Sequence, residues 1–223
     1  VLNPVYRIDD QFYELFQRHR KGEGKQTMRR RVEQYLTELN LPLDVLSAYP
    51  HQLSGGMRQR VVIAMATFLQ PDMIFADEPT TALDVVVQRN ILMMLTELQK
   101  KMRNTLVIVS HDMGVHYQIT NRLAIMYSGS LAELGPTEEI FARPSHPYTR
   151  MLIGALPRVG DHSEREGIPG APPSLRNPPP GCRFAPRCRY ACPACSEKVP
   201  VLTEVEPGRF AACLRMDELK GGA

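Results

Sequence analysis

The sequence predicts an α/β fold built on a parallel sheet, followed by a proline- and cysteine-rich extension. Three features predict it. Short apolar runs at residues 73–76 and 105–109 alternate with long amphipathic stretches, as strands alternate with crossover helices. The first run ends in adjacent acids, Asp77 and Glu78. That places carboxylates at the carboxyl edge of a sheet, where open α/β sheets bind ligands. After Leu156 repeated prolines (Pro169, Pro172, Pro173, Pro178, Pro179, Pro180) favour extended backbone, and all five cysteines fall between 182 and 213.

The elements follow in order. Met28, Val32, Tyr35, Leu36 and Leu39 lie three and four apart, an amphipathic helix over 26–40. Tyr49-Pro50-His51-Gln52 breaks that pattern. Ser54 then caps a helix running to about Leu69, where Gln70-Pro71 ends it. A strand over 73–76 follows. The next helix, 84–102, puts Val87, Ile91, Met94, Leu95 and Leu98 on one face. Residues 105–109 read as a second buried strand and 112–119 as a short helix. Residues 123–127 and 131–134, joined by Ser128-Gly129-Ser130, read as a hairpin. Two short helices near 137–142 and 147–156 close this part. The division expected is 1–156 and 157–223, and the cysteine-rich tail is too short for a core of its own, so it calls for a staple.

Composition narrows the function. The chain has 223 residues, 43% hydrophobic and 23% charged, with a net charge of +3. That charge is too small to argue for nucleic acid as a partner, and Arg29-Arg30-Arg31 reads as a solvated helix face. No run of 18 apolar residues is present to span a membrane. The start, Val1-Leu2-Asn3-Pro4, has neither a basic nor an apolar leader segment and reads as the interior of a longer sequence.

Three motifs carry the chemistry. Leu53-Ser54-Gly55-Gly56-Met57 opens a helix with free backbone N–H groups and two glycines that let a phosphate approach the backbone. At the strand end, Asp77 can hold Mg²⁺ directly or through water, and Glu78 can act as general base toward an attacking water. Ala82-Leu83-Asp84 follows at once. His111, one helix and one strand further on, is placed to sit near a γ-phosphate.

In their order and spacing these motifs resemble the signature loop, Walker B strand, D-loop and switch histidine of ABC-type ATPases. Leu2-Asn3-Pro4, His146-Pro147-Tyr148-Thr149-Arg150 and the proline-rich arm leading into Gly181-Cys182 narrow the resemblance to the ATP-binding subunits of oligopeptide/dipeptide importers. The fold it implies is a partial nucleotide-binding domain, with a P-loop NTPase core and a helical subdomain over about 5–70. It further implies that Ser54, Gly55, Gly56 and Gln59 contact nucleotide held by a second ATPase subunit. Asp77 would serve Mg²⁺, Glu78 would be the catalytic base, Asp84 would bridge the dimer and His111 would be the switch. Partners would be that second ATPase, identical or not, transmembrane permease subunits and, indirectly, a solute-binding protein. The place would be the cytoplasmic face of the cell membrane. Import of nickel or another small solute, or a non-hydrolysing interaction module, are the competing readings.

One departure is plain. A P-loop reads G-x-x-x-x-G-K-[ST]. The one Gly-Lys, Gly24-Lys25, has His19 where the first glycine belongs and Gln26 where the hydroxyl belongs. The family's Q-loop glutamine would fall just before Val1. This stretch of chain is therefore expected not to bind ATP unaided.

The cysteines Cys182, Cys188, Cys192, Cys195 and Cys213 favour a metal site. Cys192-Pro193-Ala194-Cys195 could be one zinc knuckle, but Cys182 and Cys188 are spaced too widely for the other. Four thiolates can instead hold a [4Fe–4S] cluster. The resemblance implies a cluster on Cys182, Cys188, Cys195 and Cys213, with zinc as the alternative and Cys192 surplus.

Overall fold

In the N-terminal half, two helices are written as stripes of apolar residues four apart. Ile8, Phe12 and Phe16 of α1 (Ile8–His19) and Met28, Val32 and Leu36 of α2 (Lys25–Glu38) are each no more than 1% exposed. They form one core with Leu41, Val45, Leu46, Val61 and Ala64, the expected outcome of a 3.6-residue period. Phe68 adds its ring to those of Phe12 and Phe16, with centroids 5.8 and 6.3 Å away. These statements come from a computed structural model, which describes residues 2–19, 24–157 and 167–216. Val1 of the expected interior start and residues 158–166 of the expected arm lie outside the described residues.

By compactness the chain divides into residues 1–111 and 112–223. In the first unit, α3 (Gly55–Thr67) and α4 (Val85–Met102) bury Ile63, Ile91, Met94, Leu95 and Leu98 in a second cluster. Asp84 caps α4 by accepting from the N–H groups of Val86 and Val87, at 3.1 and 3.0 Å. Arg103, in the left-handed conformation (φ 53°), ends it.

Strand β1 (Met73–Asp77) pairs in parallel with β2 (Thr105–Val109), Phe75 opposite Val107. The expectation of a buried second strand is corrected here. Phe75 is 72% exposed and Val109 54%, because among the described residues this sheet has only two strands. Parallel strands of this composition are ordinarily covered on both faces.

In the second unit, β3 (Arg122–Tyr127) and β4 (Ser130–Pro136) form the expected hairpin. Ser128 and Gly129 at its turn both have positive φ, as a type I′ turn requires. The tail supplies β5 (Thr203–Glu206) and β6 (Arg209–Ala211), which the sequence reading missed. They extend the hairpin into an antiparallel sheet ordered β3-β4-β6-β5, with Leu134 opposite Phe210. Strand pairing thus ties residues 203–211 of the tail to the hairpin. Buried charge locks the joint. Glu133, 1% exposed, accepts from the N–H groups of Ser145 and His146, at 2.8 and 2.9 Å. Arg209, 4% exposed, lies 3.8 Å from Glu133 and reaches Ser145 Oγ at 3.0 Å and Glu206 at 2.8 Å. Above the sheet pack α5 (Met113–Ile119), α6 (Thr137–Ala142) and α7 (Pro147–Gly154), around Leu123, Ile125, Ile140 and Ile153.

Candidate functional site

The carboxyl end of β1 carries Asp77 and Glu78. The Glu78 N–H donates to the Val109 carbonyl (2.8 Å), which carries the sheet pairing one residue past the strand. Glu78 then turns into the left-handed region (φ 46°), followed by Ala82 (φ 61°). Two non-glycine residues in that region within five positions mark a loop under backbone strain, the kind held by surrounding structure at functional sites. Both oxygens of the Glu78 carboxylate are engaged. Oε1 accepts from the His111 backbone N–H (3.1 Å) and lies 2.8 Å from His111 Nδ1, while Oε2 accepts from the Thr81 hydroxyl (2.7 Å). The His111 ring contact, and then Thr81, hold the Glu78 carboxyl below its ordinary pKa. It is therefore ionised at neutral pH, in the form able to take a proton. The structure thus brings Glu78 and His111 into direct contact, and Asp77 stands exposed one residue upstream.

The signature segment is placed differently. Ser54 caps α3, its hydroxyl accepting from the Met57 N–H at 3.2 Å. Gly55 is exposed. At Gly56 an added Cβ would come within 2.5 Å of Val87 Cγ1, so the glycine is demanded by the packing of α3 on α4, whatever it offers a phosphate. Gln59 lines a cavity of about 560 Å³ with Asp77, Glu78, His51 and Arg58. Ser54, Gly55, Gly56, Asp84 and His111 are not among its walls. Asp84 is exposed and serves as the cap of α4. Gly24 likewise turns out to be a helix N-cap, and Lys25 is paired with Asp10 at 2.9 Å. That Gly-Lys is the start of α2.

In the second unit Cys182, Cys188, Cys195 and Cys213 line one small cavity of about 20 Å³ together with His146, Phe184 and Arg215. Cys192 is not among its walls, although its Sγ is 3.5 Å from that of Cys195. All five are free thiols. Among the described residues no three His, Cys, Asp or Glu side chains stand close enough to hold one metal ion. Burial pushes the Cys188, Cys195 and Cys213 thiols up, whereas the contact with Cys195 pulls Cys192 down. Two residues that the sequence offered only as part of the family resemblance shape this site. Gly181 lets the backbones touch, since an added Cβ would lie 2.3 Å from the Cys195 carbonyl oxygen. His146 caps α7 through Nδ1, which accepts from the Tyr148 N–H at 3.0 Å. Burial takes its pKa down to about 4. Gly181 was legible only as a glycine beside a cysteine.

The arrangement is that of part of an ATP-binding cassette. A solved dimeric ATP-binding cassette in a post-hydrolysis state, bound to ADP and Pi, is 29% identical with a TM-score of 0.54, over 61% of this chain and 59% of that one. Family profiles match too: "ABC transporter" over residues 3–81, and "Oligopeptide/dipeptide transporter, C-terminal region" over 132–195. The dipeptide transport ATP-binding protein DppD of Bacillus subtilis (strain 168) is 42% identical over 221 residues, 98% of this chain and 66% of that protein. DppD of Caldanaerobacter subterraneus subsp. tengcongensis is 41% identical over 219 residues, 97% of this chain and 67% of that protein. The chain therefore belongs to the family of peptide ABC transporter ATP-binding proteins. It spans about 66% of the length of the first relatives it matches. No helix among the described residues is long and apolar enough to cross a membrane.

Proposed function

We propose that the full-length protein hydrolyses ATP to energise import of short peptides across the cytoplasmic membrane. The observation that carries this reading is the Glu78 carboxylate at the sheet's carboxyl end, ionised and steered by His111 and Thr81. Glu78 accepts the proton of the water that attacks the γ-phosphate, and His111 fixes the carboxylate's orientation and stands toward the phosphate as the switch. One carboxylate suffices for Mg²⁺, which keeps waters and phosphate oxygens as its other ligands. Exposed Asp77 would be that carboxylate, and the ion would neutralise charge building on the phosphates. The chain holds no G-x-x-x-x-G-K-[ST] phosphate cradle, so the residues present fit the complementary role. Ser54, Gly55, Gly56 and Gln59 face the nucleotide of a second ATPase subunit, and Asp84 meets that subunit across the dimer.

On this reading residues 1–156 belong to the ATPase cassette and 157–223 to the transporter-specific extension. The complex sits on the cytoplasmic face of the membrane, with permease subunits and a solute-binding protein choosing the cargo. Cys182, Cys188, Cys195 and Cys213 would hold a [4Fe–4S] cluster, or zinc in its place. In support, these four line one cavity and Cys192 does not. The burial that raises three of the thiols means that binding a metal expels protons.

The test is Glu78→Gln in the assembled transporter. Nucleotide should still bind, while turnover falls about 10²–10⁴-fold, the usual contribution of a general base. Turnover within a few-fold of wild type would remove Glu78 from the role.

A further inference from the structure

The cysteine that the four-cysteine cavity leaves out has a defined neighbour. Cys192 Sγ lies 3.5 Å from Cys195 Sγ, and the turn between them is closed by a hydrogen bond from the Cys195 N–H to the Cys192 carbonyl, 2.9 Å. Pro193, with its fixed φ, stiffens that turn. A disulfide needs the sulfurs about 2.05 Å apart, so they must approach by roughly 1.5 Å, within reach of side-chain rotation when the backbone spacing is already set. Exposure is divided between the pair: Cys195 is 7% exposed, while Cys192 is more open to solvent. An oxidant thus meets Cys192 first, and Cys195 is sheltered but in reach.

We propose that Cys192 and Cys195 are a reversible dithiol–disulfide site whose oxidant is a small disulfide of the glutathione class. The Cys192 thiolate attacks one sulfur of that disulfide, forming a mixed disulfide and releasing one small thiol. Cys195 gives up its proton, attacks Cys192 Sγ and releases the second thiol. Two protein thiols are oxidised by two electrons, and one small disulfide is reduced to two thiols. The bond occupies Cys195, so the cavity keeps only Cys182, Cys188 and Cys213 as free sulfurs. On the cofactor reading proposed above, and resting on it, oxidation takes a ligand from the cluster and a bound cluster shields Cys195 from oxidation.

The test uses the full-length subunit, reduced and metal-free, equilibrated with oxidised glutathione, then alkylated and mapped by peptide mass. The expected result is loss of two thiols and of the mass of two hydrogens from the peptide holding Cys192 and Cys195, both restored by a reducing agent. Cys192→Ser should abolish the bond, and Cys195→Ser should leave glutathione attached at Cys192. Cys213→Ser should leave the bond forming as in wild type. A bond joining another pair, or a glutathione adduct on Cys192 that Cys195 never resolves, overturns the proposal. Iron and zinc analysis of protein prepared without oxidant judges the cluster separately. A Cys192–Cys195 bond in protein that binds neither metal upholds this site and removes the cofactor reading alone.

Discussion

Acid should loosen the second unit through one side chain, His146. Its ring is 3% exposed, packs 6.0 Å from the Phe184 ring, accepts from the Tyr148 N–H through Nδ1 and is hydrogen-bonded to the Ala212 backbone. Burial lowers its pKa from 6.5 to about 4 in the folded protein. Between those values the unfolded chain binds a proton that the folded chain refuses. The stability conferred by neutral His146 is therefore complete above pH 6.5 and is lost as pH falls toward 4. At 1.36 kcal/mol per unit, a difference of about 2.5 units is worth roughly 3 kcal/mol. The comparison variant is His146→Asn, which keeps a good capping acceptor but does not titrate. It should cost about 1–2 kcal/mol at neutral pH through the lost contacts, and flatten the decline between pH 6.5 and 4. Hydrogen exchange at residues 147–153 and 209–212, corrected for the intrinsic pH dependence, reads the local opening free energy. Equal slopes for wild type and variant over that interval would refute the reasoning.

Further outcomes are expected elsewhere. Removing the ring that holds the Glu78 carboxyl below its ordinary value, by His111→Ala, should shift the acid limb of the ATPase pH–rate profile to higher pH. A limb that stays in place would show that the contact does not tune the base. Gly181→Ala would drive a Cβ into the Cys195 and Ser196 backbone at 2.3 and 2.7 Å. It should destabilise the second unit by about 1–3 kcal/mol, measured by chemical denaturation, and an unchanged midpoint would contradict that close approach. Residues 1–223 alone should show no affinity for Mg-ATP tighter than about 1 mM, since the P-loop lysine and its backbone cradle are missing; micromolar binding by calorimetry would overturn this. Anaerobically prepared full-length protein should carry about four irons per chain and lose them on Cys182→Ser, Cys188→Ser, Cys195→Ser or Cys213→Ser. Stoichiometric zinc without iron would replace the cluster by a zinc site.

Local chemistry made much of this molecule legible in advance. Apolar residues three and four apart specified α2 and α4, Ser54 announced the start of α3, and an apolar run ending in two acids located the carboxylates on a strand end. Such features depend on neighbours within a turn or two, so a one-dimensional reading captures them. Other features depended on contacts between distant segments. Arg209–Ala211 is a strand because β4 offers it an edge and Thr203–Glu206 because Arg209–Ala211 offers the next, and the burial of Arg209 is tolerable beside the carboxylates of Glu206 and Glu133. β2 looked like a core strand by composition and is half open, because composition states what a strand would bury and not what stands beside it. Gly56 read as a phosphate contact and proved also to be the space Val87 requires. Four cysteines came to line one cavity while Cys192 came to face Cys195 from outside it, an arrangement that spacing left open and that only the folding of residues 182–213 decided.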